Sequence, residues 1–279
     1  MTSLEELLAW PLAKLKAHFA DESARVPKGL LQALENDSRG GAKALAKQLR
    51  ARRRKSRLET ERLRKLLQYE NELWEQGFDL IAGVDEAGMA PLAGPVVAGA
   101  VILPKNYRLR GLNDSKKILD AARRDELAAQ IKHDAVCWGV GRAEVEEIDE
   151  LNIYHAGLLA MRRAVEALES RPDFVLVDAR KIPQCPAPQR GIIRGDLLSA
   201  SIAAASIIAK TTRDAHMAEM DRLYPGYSFA SHKGYGTPAH YRALNTLGVL
   251  PIHRRSFAPI RQLLGLEPVQ TELFDAETD

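Results

Sequence analysis

Asp85 and Glu86 stand side by side at the end of the apolar run Leu80-Ile81-Ala82-Gly83-Val84. Carboxylates at the end of a buried strand lose hydration, and positive charge must offset that loss. Asp178 repeats the setting after Phe174-Val175-Leu176-Val177. Asp196 lies in Arg194-Gly195-Asp196, ahead of a segment of small residues. Taken singly, each has an ordinary alternative. Asp85 can cap the next turn while Glu86 reaches solvent, Asp178 can cap the turn after a strand, and Asp196 can complement a helix dipole. Taken together, four carboxylates suit a hard divalent cation, Mg2+ or Mn2+. No His joins them at a metal-like spacing, which disfavours zinc. The common chemistry of such a site is phosphoryl transfer, with two ions about 4 Å apart activating a water and stabilising the leaving oxygen.

Positioning these acids requires a sheet. Hydrophobic patterning predicts strands at 79–85, 95–103, 135–142, 173–178 and 191–195. Helices are expected at 120–133, 144–149, 155–169, 199–222 and 238–247. Antiparallel early strands followed by alternating helices and strands imply an α/β mixed sheet with helices packed on it. In open sheets of this kind, sites sit at the carboxyl ends of parallel strands, where Asp178 falls. Ser201–Lys210 is rich in Ala and Ser, which lets a helix lie close to the sheet. Upstream, 3–19 reads as one amphipathic helix with Ser3 as N-cap and Glu6 three residues on. A second helix is expected at 27–36, a break at 36–41 and a polar helix over 42–74. The chain thus divides into a basic helical extension (1–75), a catalytic body (76–265) and a flexible acidic tail (266–279).

Charge supports that division. Residues 1–70 hold 16 Lys/Arg and 9 Asp/Glu, whereas 71–279 hold 24 and 28. A basic arm on a slightly acidic body suggests a polyanion for the arm, contacted by Arg52-Arg53-Arg54-Lys55, and a cation for the body. Two cysteines in 279 residues give neither a disulfide framework nor zinc spacing. With no membrane-spanning run and no signal-peptide pattern, a cytoplasmic monomer is expected, with no membrane partner.

Six segments then matter jointly: Ile81–Gly88 (IAGVDEAG), Pro91–Ala98 (PLAGPVVA), Leu112–Lys117 (LNDSKK), Ser201–Lys210 (SIAAASIIAK), His232–Thr237 (HKGYGT) and His253–Phe257 (HRRSF). In order and spacing, over roughly 78–262, they resemble bacterial ribonuclease HII. The resemblance implies a ribonuclease H-like mixed five-stranded sheet flanked by helices, with the small helical basic extension some bacterial members carry. It implies an endonuclease that cuts the RNA strand of RNA–DNA hybrids and the 5′ side of ribonucleotides embedded in duplex DNA, leaving 3′-hydroxyl and 5′-phosphate ends. Asp85, Glu86, Asp178 and Asp196 become the catalytic, metal-binding acids. Tyr235 becomes the aromatic that stacks at the junction and senses the 2′-hydroxyl.

Departures from the family pattern are informative. A common Gly-Arg-Gly stands here as Gly88-Met89-Ala90. These positions are kept as substrate-binding through backbone donors, but Met89 offers no charge-assisted phosphate contact. A general hybrid nuclease with weak junction selectivity is therefore the nearest alternative, and a non-catalytic nucleic-acid-binding protein on the same scaffold the more distant one. Asp196-Leu197-Leu198-Ser199 lacks a Lys that many members have, and Ala179 replaces a common Gly, a change expected to be harmless. Lys116 and Lys117 are read as substrate-binding, after a turn whose N–H groups can hold a phosphate. His232, Lys233, His253 and Arg254 stay open between substrate contact and local hydrogen bonding. Finally, Gln270-Thr271-Glu272-Leu273-Phe274 resembles the short peptides with which bacterial repair proteins dock on the sliding clamp.

Overall fold

The computed structural model describes residues 3–21 and 24–266; Gln270–Phe274 lies outside the described residues. Five strands form one mixed sheet: β1 (Ile81–Ala87), β2 (Val96–Ile102), β3 (Cys137–Ala143), β4 (Phe174–Asp178) and β5 (Gln189–Ile192). Their order is β3-β2-β1-β4-β5. β2 pairs antiparallel with β1 and β3, while β4 pairs parallel with β1 and β5.

Alternation along β1 assigns its two faces. Ala82 and Val84 join Ala98, Ala100, Val175 and Val177 in one apolar layer. Ala156, Ala160, Met161 and Ala164 of α7 (Val145–Glu166) cover it. Gly83 and Gly99 point the other way, toward α8 (Ala200–Leu223). A Cβ on Gly83 would lie 2.0 Å from the Ser201 carbonyl carbon and 2.2 Å from the Ile202 nitrogen. One on Gly99 would lie 2.5 Å from the Ala205 oxygen. The backbone of α8 thus rests directly on the sheet, and Ser201 to Ala209 are all buried. The small residues of that segment act as the packing surface the sequence suggests.

Several boundaries differ from expectation for local reasons. The two segments expected at 144–149 and 155–169 are one element, α7, bent at Asn152, whose φ is 66° and ψ 164°. Asn152 Oδ1 accepts from the N–H groups of Tyr154 and His155, so it caps the second half. β5 ends at Ile192 rather than running to 195, because Arg194 adopts a left-handed φ of 59° and turns the chain into a 3-10 turn, Gly195–Leu197.

At the other end, the single helix expected over 3–19 is two, α1 (Leu4–Ala9) and α2 (Leu12–Ala20). Pro11 disfavours helical backbone at Trp10, whose ψ is 148°. The Ser3–Glu6 capping box is present. α1, α2, α3 (Leu30–Glu35) and the start of α4 (Ala42–Leu66) share a core of Leu7, Leu15, Phe19, Leu30, Leu34, Leu45 and Leu49. Arg52 belongs to this packing, not to an open basic face. It donates to the carbonyls of Phe19, Asp21 and Ala24, while Arg53, Arg54 and Lys55 are exposed.

Two compact units divide between Arg64 and Lys65. α5 (Gln68–Glu75), which sequence grouping places with the extension, packs Leu73 against Ile81, Leu176 and Ile202 of the sheet unit. α6 (Ala121–Asp134), α9 (Phe229–His232), α10 (Pro238–Leu247) and α11 (Ala258–Leu263) complete the described helices.

The α8 contact is rigid on both sides, since backbone meets backbone. Gly83→Ala is expected to lower stability by about 3 kcal/mol or to prevent folding, measured by thermal or urea unfolding. An unchanged midpoint would show that α8 can lift off the sheet freely.

Candidate active site

β1 and β4 run parallel with Val84 beside Val177, so Asp85 and Asp178 stand at the same level, where the pairing of these two strands stops. Gly99 lies opposite Asp85 on β2 and leaves room beside it. Asp85 is 3% exposed and faces α8, where the Ser206 side chain lies near it. Ser206 in turn is hydrogen-bonded to Ser115, with the two Oγ atoms 2.8 Å apart. Glu86 projects to the opposite face, as the strand period requires, and meets Arg180, with Nη2 3.2 Å from Oε1.

Asp178 Oδ1 accepts from the Gly195 N–H at 2.6 Å, which draws the 3-10 turn and Asp196 to the strand end. Asp196 is buried there, in the 3-10 turn just ahead of α8. Ser199 is the N-cap of α8, and the Glu70 carboxylate accepts from Ser199 Oγ, Ser201 Oγ and Ser201 N–H. The four sequence-predicted acids thus share one neighbourhood. Asp114, which the sequence places in a turn, joins them; it is buried and close enough to Asp196 to help raise that carboxyl.

Electrostatics records the crowding. Burial, then the charges of Glu86 and Asp178, hold the Asp85 carboxyl well above its usual range. Burial also raises Glu86; Arg180 opposes that rise and Asp178 adds to it. Asp196 is pushed up to about 6 by burial, Asp114 and Asp178. Burial alone would lower the Lys116 ammonium, but Asp85, Asp114, Asp196 and Asp178 surround it and raise it. Lys117 lies beside it, exposed.

These groups fit a divalent cation by three criteria. The donors are all oxygens, negative charge exceeds the local positive charge, and Glu86 Oε2 is buried without a hydrogen-bond partner. An unsatisfied buried atom of this kind costs about 1–3 kcal/mol. Among the described residues no three acid or imidazole groups already stand at ligand spacing. Glu86 leans on Arg180 and Asp178 on Gly195. Like charges gathered this closely repel one another.

Two buried arginines shape the adjoining loops. Arg254 donates to the carbonyls of Gly88, Met89 and Gly94. Arg213 donates to those of Ala93, Pro95 and Lys233. Burial and Arg213 together lower Arg254 to about 9. In a trans peptide the C=O and the following N–H point oppositely. The inward carbonyls of Gly88 and Met89 therefore turn the N–H groups of Met89 and Ala90 away from Arg254. Gly88 has φ 96°, and a Cβ there would lie 2.2 Å from Arg213 Nε. Ala90 has no such constraint. Ala179 does, with φ 51°. The Gly-to-Ala departure at that position is therefore not harmless, and costs about 1 kcal/mol of left-handed strain.

His253 and Arg254 prove to be internal, each fully buried. Leu250 N–H can only donate, and it reaches His253 Nδ1 at 2.9 Å. The His253 proton is then on Nε2, directed at His240 Nε2 3.0 Å away. His240 carries its own proton on Nδ1 and donates to the Tyr235 carbonyl at 2.9 Å. His232 is fixed similarly, accepting from Gly234 N–H and donating to the Tyr227 carbonyl. The three rings hold the backbone of the Tyr235 loop and leave the Tyr235 side chain 43% exposed. Sequence spacing gave no sign of this relay, because its members lie on three separate segments.

The sequence profile of the Ribonuclease HII family matches residues 82–260, and that of the Ribonuclease HII N-terminal domain matches 12–74. The chain is 63% identical over 278 residues to the ribonuclease HII of Myxococcus xanthus, covering 98% of this chain and 95% of that protein. The ribonuclease H2 of Pyrococcus horikoshii shares the fold, with a TM-score of 0.56 at 24% identity, over 66% of this chain and 96% of that one. So does the ribonuclease HII of Archaeoglobus fulgidus, solved in complex with PCNA, with a TM-score of 0.54 at 24% identity, over 63% and 93%.

The relay has a pH signature. Burial, then His240, depresses His253 to about 4 in the folded chain, against about 6.5 when unfolded. Its stabilising contribution is therefore complete above about pH 6.5 and is lost as pH falls toward 4. Between pH 7 and 5 this residue should account for a loss of about 2 kcal/mol. Unfolding titrations should show a flatter acid slope in His253→Gln; equal slopes would assign the acid sensitivity elsewhere.

Proposed function

Because the chain belongs to the ribonuclease HII family, and is thus a ribonuclease H acting on RNA–DNA hybrids, we propose a two-ion endonuclease. It cuts the RNA strand of hybrids and the 5′ side of ribonucleotides embedded in duplex DNA, leaving 3′-hydroxyl and 5′-phosphate ends. The observation that carries the reading is the gathering of Asp85, Glu86, Asp178 and Asp196 at adjoining strand and turn ends. These four would hold Mg2+ or Mn2+. Bound there, such ions activate a water and stabilise the leaving oxygen of a phosphodiester.

The chain's own groups supply the rest. Lys116, exposed among the acids, neutralises the phosphate that enters beside them, with Lys117 next to it. The outward N–H groups of Met89 and Ala90 bind the sugar-phosphate beside the cut, at the loop that Gly88 permits. Tyr235, exposed on a loop held by buried histidines, stacks at the junction. Met89 favours one second reading, a hybrid nuclease with weak junction selectivity. Comparing cleavage of a duplex with one ribonucleotide against an all-RNA/DNA hybrid, with each metal, separates the two. The absence of turnover with either substrate would leave only a non-catalytic binder.

Exposed Arg53, Arg54 and Lys55 suit phosphate contact by the N-terminal unit. A monomer in a reducing cytoplasm fits two free cysteines. Among the described residues no helix is long and apolar enough to cross a membrane. Docking on a sliding clamp through Gln270–Phe274 is part of the proposal, and the PCNA complex of the archaeal relative supports it.

Asp85→Asn or Glu86→Gln is expected to abolish cleavage while the fold persists, and stability without metal should hold or rise as repulsion is relieved. Near-normal turnover by either variant would refute the assignment. Deleting residues 1–64, which keeps Glu70 on α8, should weaken duplex binding and flatten its salt dependence, with the chemical step largely retained. An unchanged plot of log affinity against log salt would remove the basic unit from the interface. For the tail, a fluorescent 266–279 peptide should bind purified clamp and lose binding on Leu273→Ala with Phe274→Ala. Equal binding by both peptides would end that idea.

A further inference from the structure

Granted the nuclease reading above, we propose that Arg180 is a substrate-binding residue that takes a backbone phosphate of the strand being cut, and that Glu86 holds it in waiting until cation and substrate arrive. Arg180 lies two residues beyond Asp178, past the left-handed Ala179, and reaches back over the site. Its Nη2 is 3.2 Å from Glu86 Oε1. Its guanidinium carbon lies 5.2 Å from the centroid of the Tyr154 ring, itself an exposed aromatic.

The pairing is incomplete on both sides. A guanidinium and a carboxylate can satisfy each other with two parallel hydrogen bonds. Here Arg180 Nη1 and Glu86 Oε2 are both buried without a hydrogen-bond partner. The unused oxygen suits a cation. The unused nitrogen, on a planar fork, suits an anion with several oxygens, and a phosphodiester is the one this site would meet. With a cation held there, Glu86 would bind Arg180 less tightly, and Arg180 would be free to turn to the phosphate.

Position agrees with that role. A Cβ on Gly157 would lie 3.0 Å from Arg180 Nη1 and 3.0 Å from Met89 Sδ. Gly157 thus provides the space where the two tips meet. Met89 shares that space and is unbranched and flexible, so it can move aside. The outward N–H groups of Met89 and Ala90 are on the same patch. Arg180 and those two donors would then grip one stretch of sugar-phosphate.

The alternative is that Arg180 only supplies counter-charge to Glu86. Steady-state kinetics and binding distinguish them. Arg180→Met should raise KM for the hybrid about tenfold and change kcat by less than about twofold. On an Asp196→Asn background with Mg2+, which keeps Glu86 and spares the substrate, the slope of log Kd against log salt should fall by about 0.9, the value of one phosphate contact. Arg180→Lys should recover most of the slope but less of the affinity. Unchanged KM and slope in Arg180→Met overturn the proposal. A fall in kcat alone also overturns it and assigns Arg180 to tuning Glu86. If the unaltered chain cleaves neither hybrid nor ribonucleotide-containing duplex, the nuclease reading fails and takes this role with it.

Discussion

The direct seating of α8 on the glycines of β1 and β2 is the contact on which the other features depend. Gly83 and Gly99 bring helix backbone to sheet backbone, so α8 has little freedom to shift or tilt. Its first turn follows Asp196 and is capped by Ser199 and Glu70. Its middle presents Ser206 to Asp85. Its later turns present Arg213 to the loops at 93–95 and 233. One rigid element therefore indexes an acid, the partner of a second acid, and the loop that carries Tyr235.

Buried charge is handled differently at two neighbouring places. Arg213 and Arg254 are enclosed, yet backbone carbonyls surround them, so each is a well-satisfied cation that fixes loop shape. The acids receive too few donors. Asp85, Glu86 and Asp196 are all raised, and Glu86 keeps an unused oxygen. Arg213 and Arg254 are thus satisfied, while the neighbouring carboxylates are left short. Such a deficit favours any cation that can enter.

Four of the seven described non-glycine residues with left-handed φ lie on segments that lead to the site. Asn152, Ala179, Arg194 and Lys233 all have left-handed φ without being glycine. Ala179 and Arg194 flank the turn that brings Asp178 to Asp196, Lys233 enters the Tyr235 loop, and Asn152 bends α7 near Tyr154 and Gly157. Each costs free energy that the surrounding packing must supply.

The sequence by itself singled out the four acids as candidates and determined the sheet elements and the packing role of Ser201–Lys210, because strand periodicity, carboxylates after apolar runs and small-residue composition are local properties. It also determined the family, because six linked segments in order leave little room for coincidence. Only the tertiary structure decided what depends on chain segments meeting. Asp114 looked like a turn residue until burial put it against Asp196. Nothing in the sequence marked Arg180, which the fold sets beside Glu86 of β1. His253 and Arg254 stood undecided because a basic residue in a loop reads alike whether it faces solvent or the interior; full burial and internal partners made both structural. Glu70 lies in the stretch that composition assigns to the extension, yet its carboxylate caps a helix 130 residues on, a pairing no window along the chain can register.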